Sequence, residues 1–120
     1  MDILTTITQY PNQQFTLVLQ DNETALMRLY YNARMESWFF DLQYKELTIN
    51  GVKVVLHPNI LRQFRNIIPF GLGILSESYV EPFEIECFAN NRVEIGILTK
   101  DEVEEIEAEV QYMLSTSFTK

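Results

Sequence analysis

His57 is the one histidine in the chain and Cys87 the one cysteine, so nucleophilic chemistry would have to start from these two residues. A Cys87–His57 dyad, or a triad of Ser76, His57 and Asp41, can be drawn, but none of these residues lies in a local motif that presents a nucleophile to its base. With a single histidine, a histidine metal cluster cannot be built within one chain. The expected roles are therefore structural: His57 as an exposed strand-end residue before Pro58, and Cys87 as a small buried hydrophobe with no partner for an internal disulfide. Pro69-Phe70-Gly71-Leu72-Gly73 lacks the third glycine, the preceding strand and the long following helix of a phosphate loop, and reads as a tight backbone passage. Glu84, Glu86 and Glu94 would supply an acid and a base only if gathered in a cleft, and their alternation sends them to solvent. Asn22-Glu23-Thr24 has the form of a glycosylation sequon, which has meaning only on a secretory route. The sequence thus offers no catalytic, cofactor-binding or metal-ligating set, and no cofactor is expected.

The elements that must position these residues read mainly as strands. In 14–20, Phe15, Leu17 and Leu19 share one parity and Thr16, Val18 and Gln20 the other, as one buried face requires. Asp21-Asn22-Glu23 reads as a turn. Ala25, Met27, Leu29 and Tyr31 then oppose Leu26, Arg28, Tyr30 and Asn32, so this strand is apolar or aromatic on much of both faces and belongs in a central position or at a subunit contact. In 36–42, Trp38, Phe40 and Leu42 face inward and Phe39 outward. Asn50-Gly51 between alternating residues in 47–54 predicts a two-residue hairpin turn. Pro58 ends that arm, and Asn59 caps a helical turn over 60–66. Residues 67–73 read as loop, and 73–78 as strand. A second hairpin is predicted with Phe83, Ile85 and Cys87 in one arm, Val93, Ile95 and Ile97 in the other, and Asn90-Asn91 between. At Thr99 the period changes: Thr99 to Glu102 forms a capping box, and Val103, Ile106, Val110, Met113 and Leu114 recur at helical spacing. Residues 115–120 read as a loose end. The expected fold is mainly β, a small antiparallel barrel or sandwich in one domain over 1–120, with a short helical turn near 59–66 and a C-terminal amphipathic helix over about 100–114.

Composition bounds the function classes. The 120 residues are 47% hydrophobic and 22% charged, a globular balance with no apolar run long enough to span a bilayer. Asp2 near the start and the lack of a continuous apolar segment predict that the chain stays in the compartment where it is made. Six of the 17 acidic residues fall within 101–109, and the rest of the net charge of −8 is thinly spread. That balance argues against nucleic acid as a main ligand, because phosphate binding depends on Lys and Arg. Glu105 and Glu109 repel one another at i,i+4, which suits either a solvated face or a basic partner. Tyr30, Tyr31, Trp38, Phe39, Phe40 and Tyr44 concentrate in a short stretch, which favours a protein interface over ligand stacking.

An early strand with Gln14, Phe15 and Leu19 is followed by Leu29, Tyr31 and Asn32, and then by Trp38, Asp41 and Leu42. Ile49, Gly51, Val52 and a later Pro69-x-Gly71-x-Gly73 complete the order. Over about residues 7–98 this pattern resembles the small baseplate plug proteins of contractile-tailed bacteriophages. The resemblance implies a non-enzymatic virion structural protein at the tail baseplate, assembled in the host cytoplasm, contacting hub, tube and spike. It implies a homo-oligomer in a symmetric ring, with no membrane insertion and no catalytic residues to carry over. Gln43-Tyr44-Lys45-Glu46 departs from the pattern's Asp-x-x-Gly turn, and the acidic segment after Thr99 has no counterpart in it. The residues expected at protein interfaces are Tyr31, Phe39, Glu104, Glu105 and Glu109. The alternative is a soluble acidic protein-binding or inhibitor module that uses the 101–109 helix.

Overall fold

The computed structural model describes residues 1–5, 7–19, 22–76 and 81–118, with the backbone alone at 110 and from 113 onward. Its strands are β1 (Asp2–Ile3), β2 (Asn12–Val18), β3 (Thr24–Asn32), β4 (Ser37–Tyr44), β5 (Leu47–Lys53), β6 (Gly71–Leu75) and β7 (Glu94–Leu98). A 3₁₀ turn, Arg62–Phe64, lies between β5 and β6, and helix α1 (Lys100–Phe118) follows β7. The strands form two antiparallel sheets, ordered β2-β3-β4-β5 and β1-β7-β6. The larger sheet does not close on itself, so the architecture is an open sandwich and not a barrel.

Period-2 patterning decides which face of the larger sheet is inside. Phe15 and Leu17 on β2, Ala25, Met27 and Leu29 on β3, and Trp38, Phe40 and Leu42 on β4 turn to one contiguous core. Leu72 and Ile74 on β6 and Ile95 and Ile97 on β7 meet them from the other sheet. β3 takes the central place expected of it, yet its Thr24, Leu26 and Arg28 are exposed on the outer side.

The 47–54 hairpin is not formed, and the reason is the parity of the apolar residues. Leu47 and Ile49 face inward at odd positions, whereas Val52 and Val54 face inward at even ones. One additional residue must therefore be absorbed between them, and a hairpin turn there would not deliver both pairs to the same face of one strand. The register shows the absorption: Phe40 pairs with Val52 and Leu42 with Ile49, so Asn50 and Gly51 together oppose Asp41 as a β-bulge. Gly51 has φ +68°, and its N–H donates to Asp41 Oδ1 at 2.8 Å. The tight hairpin falls instead at Lys45-Glu46, between the paired Tyr44 and Leu47, with Lys45 at φ +52°.

The second predicted hairpin is likewise replaced. Cys87 and Phe88 are adjacent and both buried, which no alternating strand allows. Cys87 N–H donates to Glu84 O, Asn90 N–H to Glu86 O and Asn91 N–H to Phe88 O, so the segment winds into consecutive turns. β7 pairs with β6 and β1 and leaves this segment out of the sheet. The third strand begins at Ser37, because Glu36 has φ +50° in the preceding turn. Gly71 and Gly73, read as loop, belong to β6; Glu77 and Ser78, read as strand, lie outside the described residues. Of the Asp21-Asn22-Glu23 turn, Asn22 has φ +61°, while Asp21 lies outside.

The outer face of the smaller sheet explains the glycine passage. Asn59 is buried, and its Oδ1 accepts from Leu61 N–H at 3.1 Å and Leu72 N–H at 3.2 Å, tying the helical turn to β6. A Cβ on Gly71 would sit 2.5 Å from that same Oδ1. The turn of 60–66 is thus present, with regular helical geometry limited to Arg62–Phe64. α1 continues past 114 to Phe118, so 115–118 is helical and not a loose end, and Thr119 and Lys120 lie outside the described residues.

A double-mutant cycle tests the bulge. An added Cβ at Gly51 meets nothing closer than 3.9 Å, so the cost of Gly51→Ala comes from the left-handed backbone and should be about 1–2 kcal/mol. Asp41→Ala should cost about 1–2 kcal/mol for the lost charge-assisted bonds. Because both report on one bulge, the double variant measured by urea unfolding should lose less than the sum. Strict additivity would contradict the coupling.

Candidate interaction surfaces

The residues from which chemistry would have to start do not assemble into the dyad or the triad. Cys87 is 3% exposed, and burial pushes its thiol up to about 12, far from a thiolate at neutral pH. His57 sits in a bridge to Ile74 and is half-buried, not exposed as expected; its Nδ1 accepts from Asn59 N–H at 2.9 Å. His57 and Ser76 line one open groove, whereas Asp41 projects from the outer face of the larger sheet. Among the described residues no group of three or more His, Cys, Asp or Glu is arranged to hold a metal ion. Glu84 and Glu86 are exposed, and Glu84 pairs with Arg92 at 3.3 Å.

The outer face of the larger sheet is organised around Asp41. Its Oδ2 accepts from Arg28 at 3.4 Å, and its Oδ1 accepts from the Tyr30 hydroxyl at 3.3 Å as well as from Gly51 N–H. Arg28 Nε donates in turn to Asn12 Oδ1 at 3.2 Å, so one polar chain crosses all four strands. The Arg28 guanidinium lies 4.7 Å from the Tyr30 ring centre, and Tyr30 stacks on Phe39 at 6.0 Å. Partial burial and the Asp41 charge hold the Tyr30 phenol above its ordinary range.

Phe39 is therefore on the outer face, as expected, but Tyr31 is not beside it. Tyr31 lies on the inner side, edge-on to Trp38 at 5.3 Å, and its hydroxyl donates to Phe83 O at 2.6 Å. Trp38 Nε1 donates to Glu84 O at 3.2 Å and its ring meets Phe88 edge-on at 5.4 Å, so both aromatics tether the 83–91 turns to the sheet. The structure does not bring the two proposed contact aromatics together.

Helix α1 opens with the predicted capping box. Glu102 N–H donates to Thr99 Oγ1, and Thr99 N–H donates to Glu102 Oε1, each at 3.2 Å. Val103 is buried against the body, and Glu102 also pairs with the Met1 amino group at 2.8 Å. Glu107 receives both arms of Arg62 at 2.9 Å, with Arg65 at 3.5 Å. The hydrogen bonds from Arg62, then that from Gln111, hold the Glu107 carboxyl below its ordinary value of 4.5. The acidic run thus divides: Glu102 and Glu107 fasten the helix to the body, while Asp101, Glu104, Glu105 and Glu109 are exposed. Arg62 and Arg65 were not singled out from sequence, since nothing in their spacing points 45 residues ahead to Glu107.

The family model described as cyanophage baseplate Pam3 plug gp18 matches residues 1–100. The chain belongs to this phage baseplate plug family. Comparison with curated proteins finds no match. Membership makes it a structural component of the tail baseplate, a setting of association with other baseplate proteins. The match ends where α1 begins, so both sheets lie within the plug family's pattern and nearly all of the acidic helix lies beyond it. No helix among the described residues is long and apolar enough to cross a membrane.

The Arg62–Glu107 tie predicts an acid-sensitive helix. Because the folded carboxyl titrates below its unfolded value of 4.5, the tie's stabilisation is complete above that pH and is lost as pH falls through the folded value. The stability gap between the native chain and Glu107→Gln should therefore narrow on acidification from neutral pH to pH ~3. Urea titrations at each pH measure it; a constant gap would remove Glu107 from the account.

Proposed function

We propose that the chain is a non-enzymatic building block at the baseplate end of a contractile tail, seated against the central hub, tube and spike. In this reading several copies assemble in the host cytoplasm and take up a symmetric ring. The observation that carries it is the plug-family match across both sheets. The buried, un-ionised Cys87 and the separation of Asp41 from the His57 groove support a role without catalysis. Phe39 and its neighbours on the open sheet face offer one contact surface, and Glu104, Glu105 and Glu109 a second. Tyr31 contributes by holding the 83–91 turns in place. Mass spectrometry of purified virions should find this polypeptide in tail fractions at a fixed ratio to hub protein. Its absence from mature particles would defeat the reading.

A second reading treats α1 as an arm for a basic partner, favoured by its exposed acids and its position past the family match. Glu104, Glu105 and Glu109 should be changed to Gln together while Glu107 is kept, because Glu107 serves the fold. The triple variant should bind baseplate extracts several-fold more weakly at low salt and lose most of its salt dependence. Unchanged binding and salt dependence would reject the arm.

A further inference from the structure

The two sheets have four lateral edges, and three of them are blocked. β1 is only two residues long. β6 is covered by 57–60: His57 and Ile74 exchange backbone bonds at 3.1 and 2.9 Å, and Ile60 N–H donates to Leu72 O at 2.8 Å. β5 carries the Asn50-Gly51 bulge and Lys53, both devices that discourage strand addition. β2 has none of these protections. Its seven residues, Asn-Gln-Gln-Phe-Thr-Leu-Val, contain no proline or charge, pair with β3 without a register break, and meet no other strand among the described residues.

The ladder shows which backbone groups face outward. Leu19 N–H donates to Glu23 O and Tyr31 N–H donates to Pro11 O, which assigns the odd residues of β2 to the bonds with β3. The N–H and C=O groups of Asn12, Gln14, Thr16 and Val18 point to the free side, and these four residues are exposed. Leaving such a row open is the condition that strand addition exploits.

We propose that β2 pairs antiparallel with β2 of a second copy. In a twofold contact each residue meets another from the same strand, and because β2 carries no charge the pairing sets no like charges against one another. Full overlap sets Asn12 against Val18 and Gln14 against Thr16 of the other copy, each pair exchanging both backbone bonds. It sets Phe15 opposite its own counterpart at the non-bonded centre, where side chains approach most closely. Phe15 is only half-buried in one chain, and the contact completes its cover from the inner face. Because the other edges are blocked, pairing through strand edges closes at two copies and joins two four-stranded sheets into one without propagating, which leaves the sheet faces and α1 open to other contacts. The inference concerns copy against copy and stands independently of the baseplate reading.

Sedimentation equilibrium over a wide concentration range tests it, at salt that screens the net charge of −8. The native chain should show a monomer–dimer equilibrium. Gln14→Glu with Thr16→Glu sets like charges opposite across the contact and should abolish the dimer, whereas Gln14→Glu with Thr16→Lys sets opposite charges together and should retain it. Thr16→Pro removes an N–H that faces the free side, so it should leave the circular dichroism spectrum intact and yield a monomer. A native chain that stays monomeric at every concentration, or charge variants that dimerise equally, would overturn the proposal.

Discussion

The inward wall of β4, Trp38, Phe40 and Leu42, sets what every neighbouring strand must do. These three side chains are at most 2% exposed, so the residues paired with them have to arrive on the same face. β3 satisfies the demand by simple alternation. β5 does not, because its apolar residues change parity between Ile49 and Val52, and the Asn50-Gly51 bulge absorbs the mismatch. Asp41 meets the bulge at its open N–H and continues through Arg28 to Asn12, so a correction forced by the core organises the polar outer face. Packing on one side of the sheet thereby fixes chemistry on the other.

The smaller sheet has a different task. Gly71 and Gly73 on β6 and Gly96 on β7 form a flat outer surface on which Asn59, the Pro58 carbonyl and Met1 rest. That layer places the 3₁₀ turn so that Arg62 and Arg65 reach Glu107, which fixes the direction in which α1 leaves the body. Family pattern and added helix meet at this joint: the glycine motif lies within the matched residues, and the helix it orients begins where the match ends.

What could be read from the sequence followed from short-range rules. The inward faces of 14–19 and 38–42, the Thr99–Glu102 capping box and the Asn59 turn all depend on neighbours a few residues away. The two misplaced hairpins failed for a common reason. Asn-Gly and Asn-Asn report a need for positive φ, which a bulge or a wound turn satisfies as well as a hairpin does; the parity change at 49–52 and the adjacent buried pair Cys87-Phe88 were the signals against hairpins. Contacts between distant segments, such as Tyr31 with Phe83 and Arg62 with Glu107, leave no local trace. The separation of Tyr31 from Phe39 was legible in principle, since residues paired across β3 and β4 share a face and Tyr31 pairs with Trp38.

A plug-family sandwich with one apolar core, one polar sheet face and an appended acidic helix is suited to be held by neighbours on several sides. Phe39 beside Tyr30 and the exposed acids of α1 lie on separate elements. The most direct measurement is a cryo-electron microscopy map of the intact tail end at side-chain resolution. The account predicts that the two-sheet sandwich, recognisable by the Trp38 wall and the bulge at Gly51, fits density at the baseplate close to the tail axis. A complete baseplate map with no density that accepts this fold would contradict it.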